Sequence, residues 1–278
     1  MRILITGCTG FIGRDLIKEL NKEGYKITCF IRSRENFSGE GKIEYIYGDL
    51  KNMSEIKNAA KNIDIIIHLA NSEENPEENI LFVKNIIDAA KKEKVKKIIF
   101  FSSMAAKRKV IDRYGKSKAE CEKKIIDSGI NYVIIRPTMV YSHKKIPFFI
   151  KPLKMLPLII PIIGDGKYKI NPVYKGDLID IVKKTVSVKD KKIYEAGGGE
   201  PMEFNEIINR VKKEKRIKKI NIHIPVKIAL ILNGMMKFTS SEAIKGIKED
   251  SNPDIEKIKK ELKITPRKFC EDIKNVSL

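Results

Sequence analysis

A short apolar run, Arg2-Ile3-Leu4-Ile5, leads straight into Thr6-Gly7-Cys8-Thr9-Gly10-Phe11-Ile12-Gly13. The run reads as a buried strand. The stretch after it puts Leu16, Ile17 and Leu20 on one helical face and ends at Gly24, a stop signal. The order is strand, glycine turn, helix, with the glycines three residues apart. Gly7 permits a tight turn, Gly10 lets backbone approach a pyrophosphate with no Cβ between them, and Gly13 lets the helix lie close on the strand. The free N–H groups at the helix start then face the phosphates with a partial positive charge.

A second motif carries chemistry. Tyr114-Gly115-Lys116-Ser117-Lys118 sets a tyrosine and a lysine four residues apart, so on a helix they share a face. An ammonium beside a phenol favours its ionised form and lowers its pKa toward working pH. The pair suits a general acid/base that moves a proton to or from a hydroxyl. Upstream, Lys97-Ile98-Ile99-Phe100-Phe101-Ser102-Ser103 reads as a buried strand ending in two serines. Ser103 falls at the strand's carboxyl end, where sheets of this kind hold ligands, and suits a hydrogen bond to a substrate oxygen.

Together with Gly48-Asp49-Leu50, His68-Leu69-Ala70 and Arg136-Pro137-Thr138, these motifs resemble the short-chain dehydrogenase/reductase superfamily. The resemblance is to its extended or atypical branch, the NAD-dependent epimerase/dehydratase-like proteins. It is strong over residues 1 to about 140 and fades toward the C-terminus. It implies that Tyr114 is the acid/base, that Lys118 tunes it and touches the cofactor ribose, and that Ser103 holds the substrate oxygen. It also implies a cofactor bound by Gly7, Thr9, Gly10, Phe11, Ile12, Gly13, Asp49, Leu50, Leu69, Ala70, Pro137 and Thr138. Asp49 would contact the adenine; the residue by itself reads equally as a turn or N-cap aspartate. Two departures matter. Only Met104 to Arg113 separate Ser103 from Tyr114, a short loop typical of the atypical branch, some of whose members bind cofactor without chemistry. Met104 and Ala105 stand where the family's dehydratases carry acidic residues, which disfavours a dehydratase.

The second strand decides the cofactor. It ends Phe30-Ile31-Arg32-Ser33-Arg34, with no carboxylate for a ribose 2′-hydroxyl. Arg32 and Ser33 suit a 2′-phosphate, so NADP is expected, with NAD as the alternative if the arginines are ordinary loop residues.

Strands expected at Ile27–Ile31, Ile43–Tyr47, Ile63–Leu69, Lys97–Ser102 and Tyr132–Arg136 alternate with helical patterns near 11–23, 53–62, 77–93 and 113–128. That alternation predicts an α/β fold: a doubly wound parallel Rossmann sheet covered on both faces. Residues 1–140 form the expected NAD(P)-binding domain. Residues 141–278 form a small C-terminal substrate lobe, partly interleaved with the sheet. Ser142 to Pro172 reads as proline-rich irregular chain, followed by helices near 176–187, 203–214, 225–237 and 254–262, with Asp177 as a cap.

The formal net charge is +20, from 56 basic and 36 acidic residues. Lysines punctuate nearly every helix, and no basic run is interleaved with aromatics, so no specific nucleic-acid partner is expected. Cys8, Cys29, Cys121 and Cys270 are widely spaced and form no paired metal motif, and His143 and His223 lack ligand partners at metal spacing, so no metal is expected. His68, closing an apolar strand, reads as a packed residue near the cofactor. The chain begins at once with a strand and shows no secretory pattern, so a cytoplasmic protein with reduced thiols is expected. Met155–Ile163 is the most apolar stretch but is broken by Pro157 and Pro161 and is too short to span a bilayer. It reads as a buried or pocket-lining segment, with a surface-anchored segment as the alternative.

The leading functional expectation is an NAD(P)-dependent oxidoreductase or epimerase acting on a hydroxyl or carbonyl of a small substrate, a nucleotide sugar among the candidates. The alternative is a non-catalytic NADP(H)-binding sensor or assembly protein of the NmrA-like, atypical branch. A homodimer is compatible with either.

Overall fold

A computed structural model describes residues 1–33, 43–72, 74–109, 111–144, 150–189, 191–236, 244, 246 and 249–276. Two compact units form. The first comprises residues 1–106, 113–136 and 179–194; the second comprises 107–112, 137–178 and 195–278.

The first unit is built on strands β1 (Arg2–Thr6), β2 (Lys26–Ile31), β3 (Ile43–Tyr47), β4 (Ile65–His68), β5 (Lys97–Phe101) and β6 (Asn131–Pro137). Between them run helices α1 (Gly13–Lys22), α2 (Met53–Ala59), α3 (Glu78–Lys92) and α4 (Arg113–Asp127). With β11 (Lys192–Ala196) at one edge, the sheet order is β11-β6-β5-β4-β1-β2-β3. Every pairing from β3 across to β6 is parallel. The order reverses after β3, and β4 returns beside β1. That is the switch of a doubly wound sheet, where the carboxyl ends of the strands form a crevice. Strands β1, β4 and β5 are apolar on both faces because helices cover both. Leu4, Ile66, Ile98 and Ile134 pack in one core with Val83, Ile86 and Ile125 of α3 and α4.

The second half of α6 (Lys175–Val186) belongs to the first unit. Lys97, buried at the start of β5, donates to the carbonyls of Thr185 and Val188 at 2.9 Å each and to that of Val186. The cation thereby satisfies carbonyls at the helix C-terminus, which have no intrahelical partner. Burial lowers its pKa to about 8.

The second unit holds β7 (Val140–Tyr141), the one-turn α5 (Pro152–Met155), β8 (Ile159–Ile163), β9 (Lys169–Ile170), β10 (Val173–Tyr174), β12 (Met202–Glu203), α7 (Phe204–Glu214), β13 (Ile220–Ile224) and α8 (Val226–Met236). Its core gathers Tyr141, Ile160, Ile162, Ile207, Ile208 and Phe269. The segment from Ser142 to Pro172 is not irregular throughout: β8 pairs in parallel with β13, residue by residue from Ile159↔Ile220 to Ile163↔Ile224. Asp177 is not a cap. It lies inside the first turn of α6, and its carboxylate accepts from Arg267 N at 2.8 Å and Arg267 Nε at 3.0 Å. The helix expected over 254–262 is in large part a π-helical turn, Ile258–Leu262. Among the described residues no helix is long and apolar enough to cross a membrane, and no cluster of metal-ligating side chains is found.

Candidate active site

The site grows from the turn after β1. Gly7 has φ +76°, and a Cβ there would stand 2.6 Å from Ala70 N and 2.8 Å from the Leu69 carbonyl carbon. The chain leaving β4 therefore presses directly on the turn. Gly10 N donates to Gly7 O at 3.0 Å, and Arg14 Nε donates to Thr9 O at 2.8 Å, closing the loop over the start of α1. A Cβ on Gly13 would lie 2.3 Å from Gly7 O, so glycine is obligatory for the helix to reach this position. At Gly10 a Cβ would meet only Gly7 O, at 3.1 Å. Thr9, Gly10 and Phe11 are exposed, while Ile12 is half-buried and Gly13 buried. Ile12, at the N-cap position, makes no side-chain capping bond, so that end of α1 stays available to an anion. These residues fit a dinucleotide pyrophosphate: backbone crowds out a Cβ at Gly7 and Gly13, while Gly10 lies exposed between them. Burial, with the neighbouring Cys29, pushes the Cys8 thiol far up, so it stays protonated.

The ends of β2 and β3 form the next part. Gly48 N donates to Ile31 O at 3.0 Å, joining the two strand ends. Arg32 and Ser33 are exposed; Arg34 lies outside the described residues. Asp49 Oδ1 accepts from Lys51 N at 2.8 Å, a turn bond, and Asn52 rather than Asp49 caps α2. Lys51 pairs with Glu78 at 2.8 Å. Its pKa is raised by that carboxylate first, with Asp49 adding and Arg32 opposing. Leu50 is buried, and its carbonyl accepts from Asn85 Nδ2 at 2.9 Å.

Lys118 and Tyr114 come together at the carboxyl end of β5, and Ser103 follows that strand. Lys118, 3% exposed, donates from Nζ to Phe101 O at 3.0 Å. The same ammonium lies 5.1 Å from the Phe100 ring centre and 5.7 Å from the Tyr114 ring centre. Helical spacing on α4 brings Tyr114 and Lys118 to one face, and the Phe101 carbonyl fixes that face over the strand end. Ser103, half-buried, follows β5 and accepts from Ala105 N at 3.1 Å through Oγ. His68 is buried as expected, with Nδ1 2.6 Å from Thr6 Oγ1 and its ring stacked on Phe100. Burial, then the Lys118 charge, lowers its pKa to about 3, so it is a neutral spacer. Pro137 and Thr138 fall in the second unit, where Thr138 N donates to Ala196 O at 2.9 Å and its hydroxyl donates to Asn171 O.

Sequence reasoning missed one cluster. Glu122, one helical turn beyond Lys118, accepts from Arg136 Nε at 2.9 Å and from Ser102 Oγ. This buried network ties α4 to the ends of β5 and β6. The four-residue spacing Tyr114, Lys118, Glu122 was its only signal.

Fold and turn together define a doubly wound dinucleotide-binding protein. The family model described as NAD(P)H-binding matches residues 7–151, and the chain belongs to that family. This bears out the resemblance to the epimerase/dehydratase-type short-chain dehydrogenases. Among similar proteins, the photosystem II assembly factor Ycf39 of Cyanophora paradoxa is 31% identical over 143 residues, covering 49% of this chain but only 44% of its own length. A putative UDP-glucose 4-epimerase of Methanocaldococcus jannaschii is 28% identical over 252 residues, covering 76% of this chain and 82% of its own length. A nucleoside-diphosphate-sugar epimerase from Staphylococcus aureus superposes with a TM-score of 0.81 at 18% identity, covering 99% of this chain and 100% of that one. MoeE5 in complex with UDP-glucuronic acid and NAD superposes with a TM-score of 0.79 at 20% identity, covering 99% and 97%. These structural likenesses speak to the fold.

Proposed function

We propose that the chain is an NADP(H)-dependent oxidoreductase or epimerase acting on a hydroxyl or carbonyl of a small substrate, with a nucleotide sugar as the favoured class. One observation carries the reading: a buried lysine ammonium held by the Phe101 carbonyl against the Tyr114 ring, at the carboxyl end of a central strand. Burying a charge is costly, and a buried ammonium beside a phenol ring at a strand's carboxyl end supports a functional reading. Gly7, Gly10 and Gly13 with the start of α1 would hold the pyrophosphate, Arg32 and Ser33 the 2′-phosphate, and Asp49, Leu50, Leu69 and Ala70 the adenosine side. The bound nicotinamide supplies the hydride donor or acceptor. Tyr114 moves the proton at the substrate oxygen, Lys118 favours the phenolate, and Ser103 orients that oxygen. Residues 1–140 would serve the cofactor and 141–278 the substrate.

The test is a screen of NADPH and NADP against UDP-glucose, UDP-galactose and simple carbonyl compounds. On an active substrate, Tyr114→Phe should lower turnover about a hundredfold to ten-thousandfold while cofactor affinity holds. Full activity in Tyr114→Phe would refute the assignment. The Ycf39 relative supports a second reading, a cofactor-binding assembly protein. Tight cofactor binding with no turnover across the screen would favour it.

A further inference from the structure

The second unit exposes an apolar face that its core does not use. Along β8, Ile160 and Ile162 are fully buried, so Ile159, Pro161 and Ile163 point the other way. Their parallel partners are Ile220, Ile222 and Ile224 of β13, and paired residues share a face of the sheet. Ile220 is 70% exposed and Leu158, whose carbonyl accepts from Ile220 N at 3.1 Å, is 74% exposed. α8 follows β13 at once. Its residues Ile228 and Ile231 are 49% and 66% exposed, with Leu232 beside them, a one-sided spacing. A helix this apolar is ordinarily buried.

The charges within the segments that form it have one sign. Residues 215–236 carry Lys215, Arg216, Lys218, Lys219 and Lys227 and no carboxylate, and residues 151–164 carry Lys151 and Lys154 and none. Lys219 Nζ bridges to the carbonyls of Leu153 and Leu156 at 2.7 Å each, which ties the two basic segments together.

We propose that this face, the β8/β13 sheet with α8, seats on an anionic lipid bilayer. Aliphatic side chains would enter the acyl boundary while the lysines meet headgroup phosphates, the arrangement of an interfacial helix that lies on a membrane without spanning it. A second copy fits poorly, because two chains of net charge +20 repel. Single-stranded nucleic acid fits poorly, because the named face is aliphatic and offers no rings for base stacking.

The chain contains no tryptophan, so one introduced indole is a clean reporter. The full chain is floated with vesicles of phosphatidylcholine alone and of equimolar phosphatidylcholine and phosphatidylglycerol. We expect flotation with the anionic vesicles only. Ile231→Trp should shift to the blue and be quenched by brominated acyl chains, while Leu81→Trp on α3 should not. Leu158→Asp and Ile231→Asp, each with an unchanged far-UV circular dichroism spectrum, should weaken vesicle binding about tenfold or more. Absence of flotation overturns the proposal. So does binding that both aspartates leave intact, equal quenching of the two reporters, or a dimer that Ile231→Asp dissolves.

Discussion

Lowering the pH should strip stability from this protein through His68. The imidazole is 1% exposed at the end of β4, stacked on Phe100 at 5.7 Å and 2.6 Å from the Thr6 hydroxyl. Burial first, and the Lys118 charge second, lower its pKa from 6.5 to about 3. In the unfolded chain it titrates near the ordinary value of about 6.5. The sign follows from which state takes the proton. Below pH 6.5 the unfolded chain binds it and the folded chain does not, so the contribution is complete above that pH and is lost as pH falls toward 3. At about 1.4 kcal/mol per pH unit, moving to pH 5 costs about 2 kcal/mol, with a ceiling of about 5 kcal/mol near pH 3. The assay is urea unfolding of the wild type and of His68→Gln at pH 7 and pH 5. The variant loses the stack at both pH values, so that loss cancels in the difference, as do the carboxylates common to both proteins. The fall between the two pH values should be about 2 kcal/mol smaller in His68→Gln. Equal falls, within about 0.5 kcal/mol, would refute the reasoning, as would an imidazole resonance titrating near pH 6.5 in the folded protein.

The two inner glycines should separate folding from binding. Gly13→Ala puts a Cβ 2.3 Å from Gly7 O and should cost about 1–3 kcal/mol in thermal unfolding. Gly10→Val should keep the fold and lose cofactor affinity by about tenfold or more, and wild-type affinity by calorimetry would dismiss the turn as the phosphate cradle. Arg32→Ala should weaken NADPH binding about tenfold to a hundredfold while leaving NADH binding unchanged; equal losses for the two would remove the 2′-phosphate role. Arg136→Met should cost about 3–5 kcal/mol, because Glu122, with its side chain 6% exposed, is left charged and unpaired; a loss under about 1 kcal/mol by denaturant unfolding would contradict that.

The parts of the fold that were legible are those whose signals are local. Ile3–Ile5, the three glycines and the Leu16, Ile17, Leu20 face lie within twenty residues, and each constrains the next. Tyr114 and Lys118 were legible for the same reason. What a linear reading lacked were distant partners. Asp177 stands just ahead of an apolar run and looks like a cap, but its carboxylate is taken by Arg267, ninety residues on. Strands β8 and β13 lie far apart in sequence, and Pro157 and Pro161 disguised the first as irregular chain. Pro161 is tolerated because, among the described residues, β8 pairs with β13 alone in a two-stranded sheet, so one of its edges asks for no N–H donor. The most apolar stretch of the chain, Met155–Ile163, reads as buried or pocket-lining; Ile160 and Ile162 are buried, but Leu158 faces outward.

One face of α4 joins stability to the proposed chemistry. Tyr114, Lys118 and Glu122 follow one another at four-residue steps, so they form a single stripe. Its first two members are the proposed acid/base and the ammonium beside it. Its third holds Arg136 of β6 and the Ser102 hydroxyl, the residue immediately before Ser103. Sliding α4 along the sheet would break a buried ion pair before it displaced the tyrosine, and an unpaired buried charge is expensive. The lysine is held independently from the strand side by the Phe101 carbonyl. Two anchors, one at the Phe101 carbonyl and one at the Ser102 hydroxyl, therefore fix the stripe beside the residue that precedes Ser103. A conservative Glu122→Gln keeps the shape and the Ser102 contact but removes the charge that faces Arg136. The proposed chemistry would then depend on geometry held by an ion pair between α4 and β6, outside the proposed acid/base pair itself.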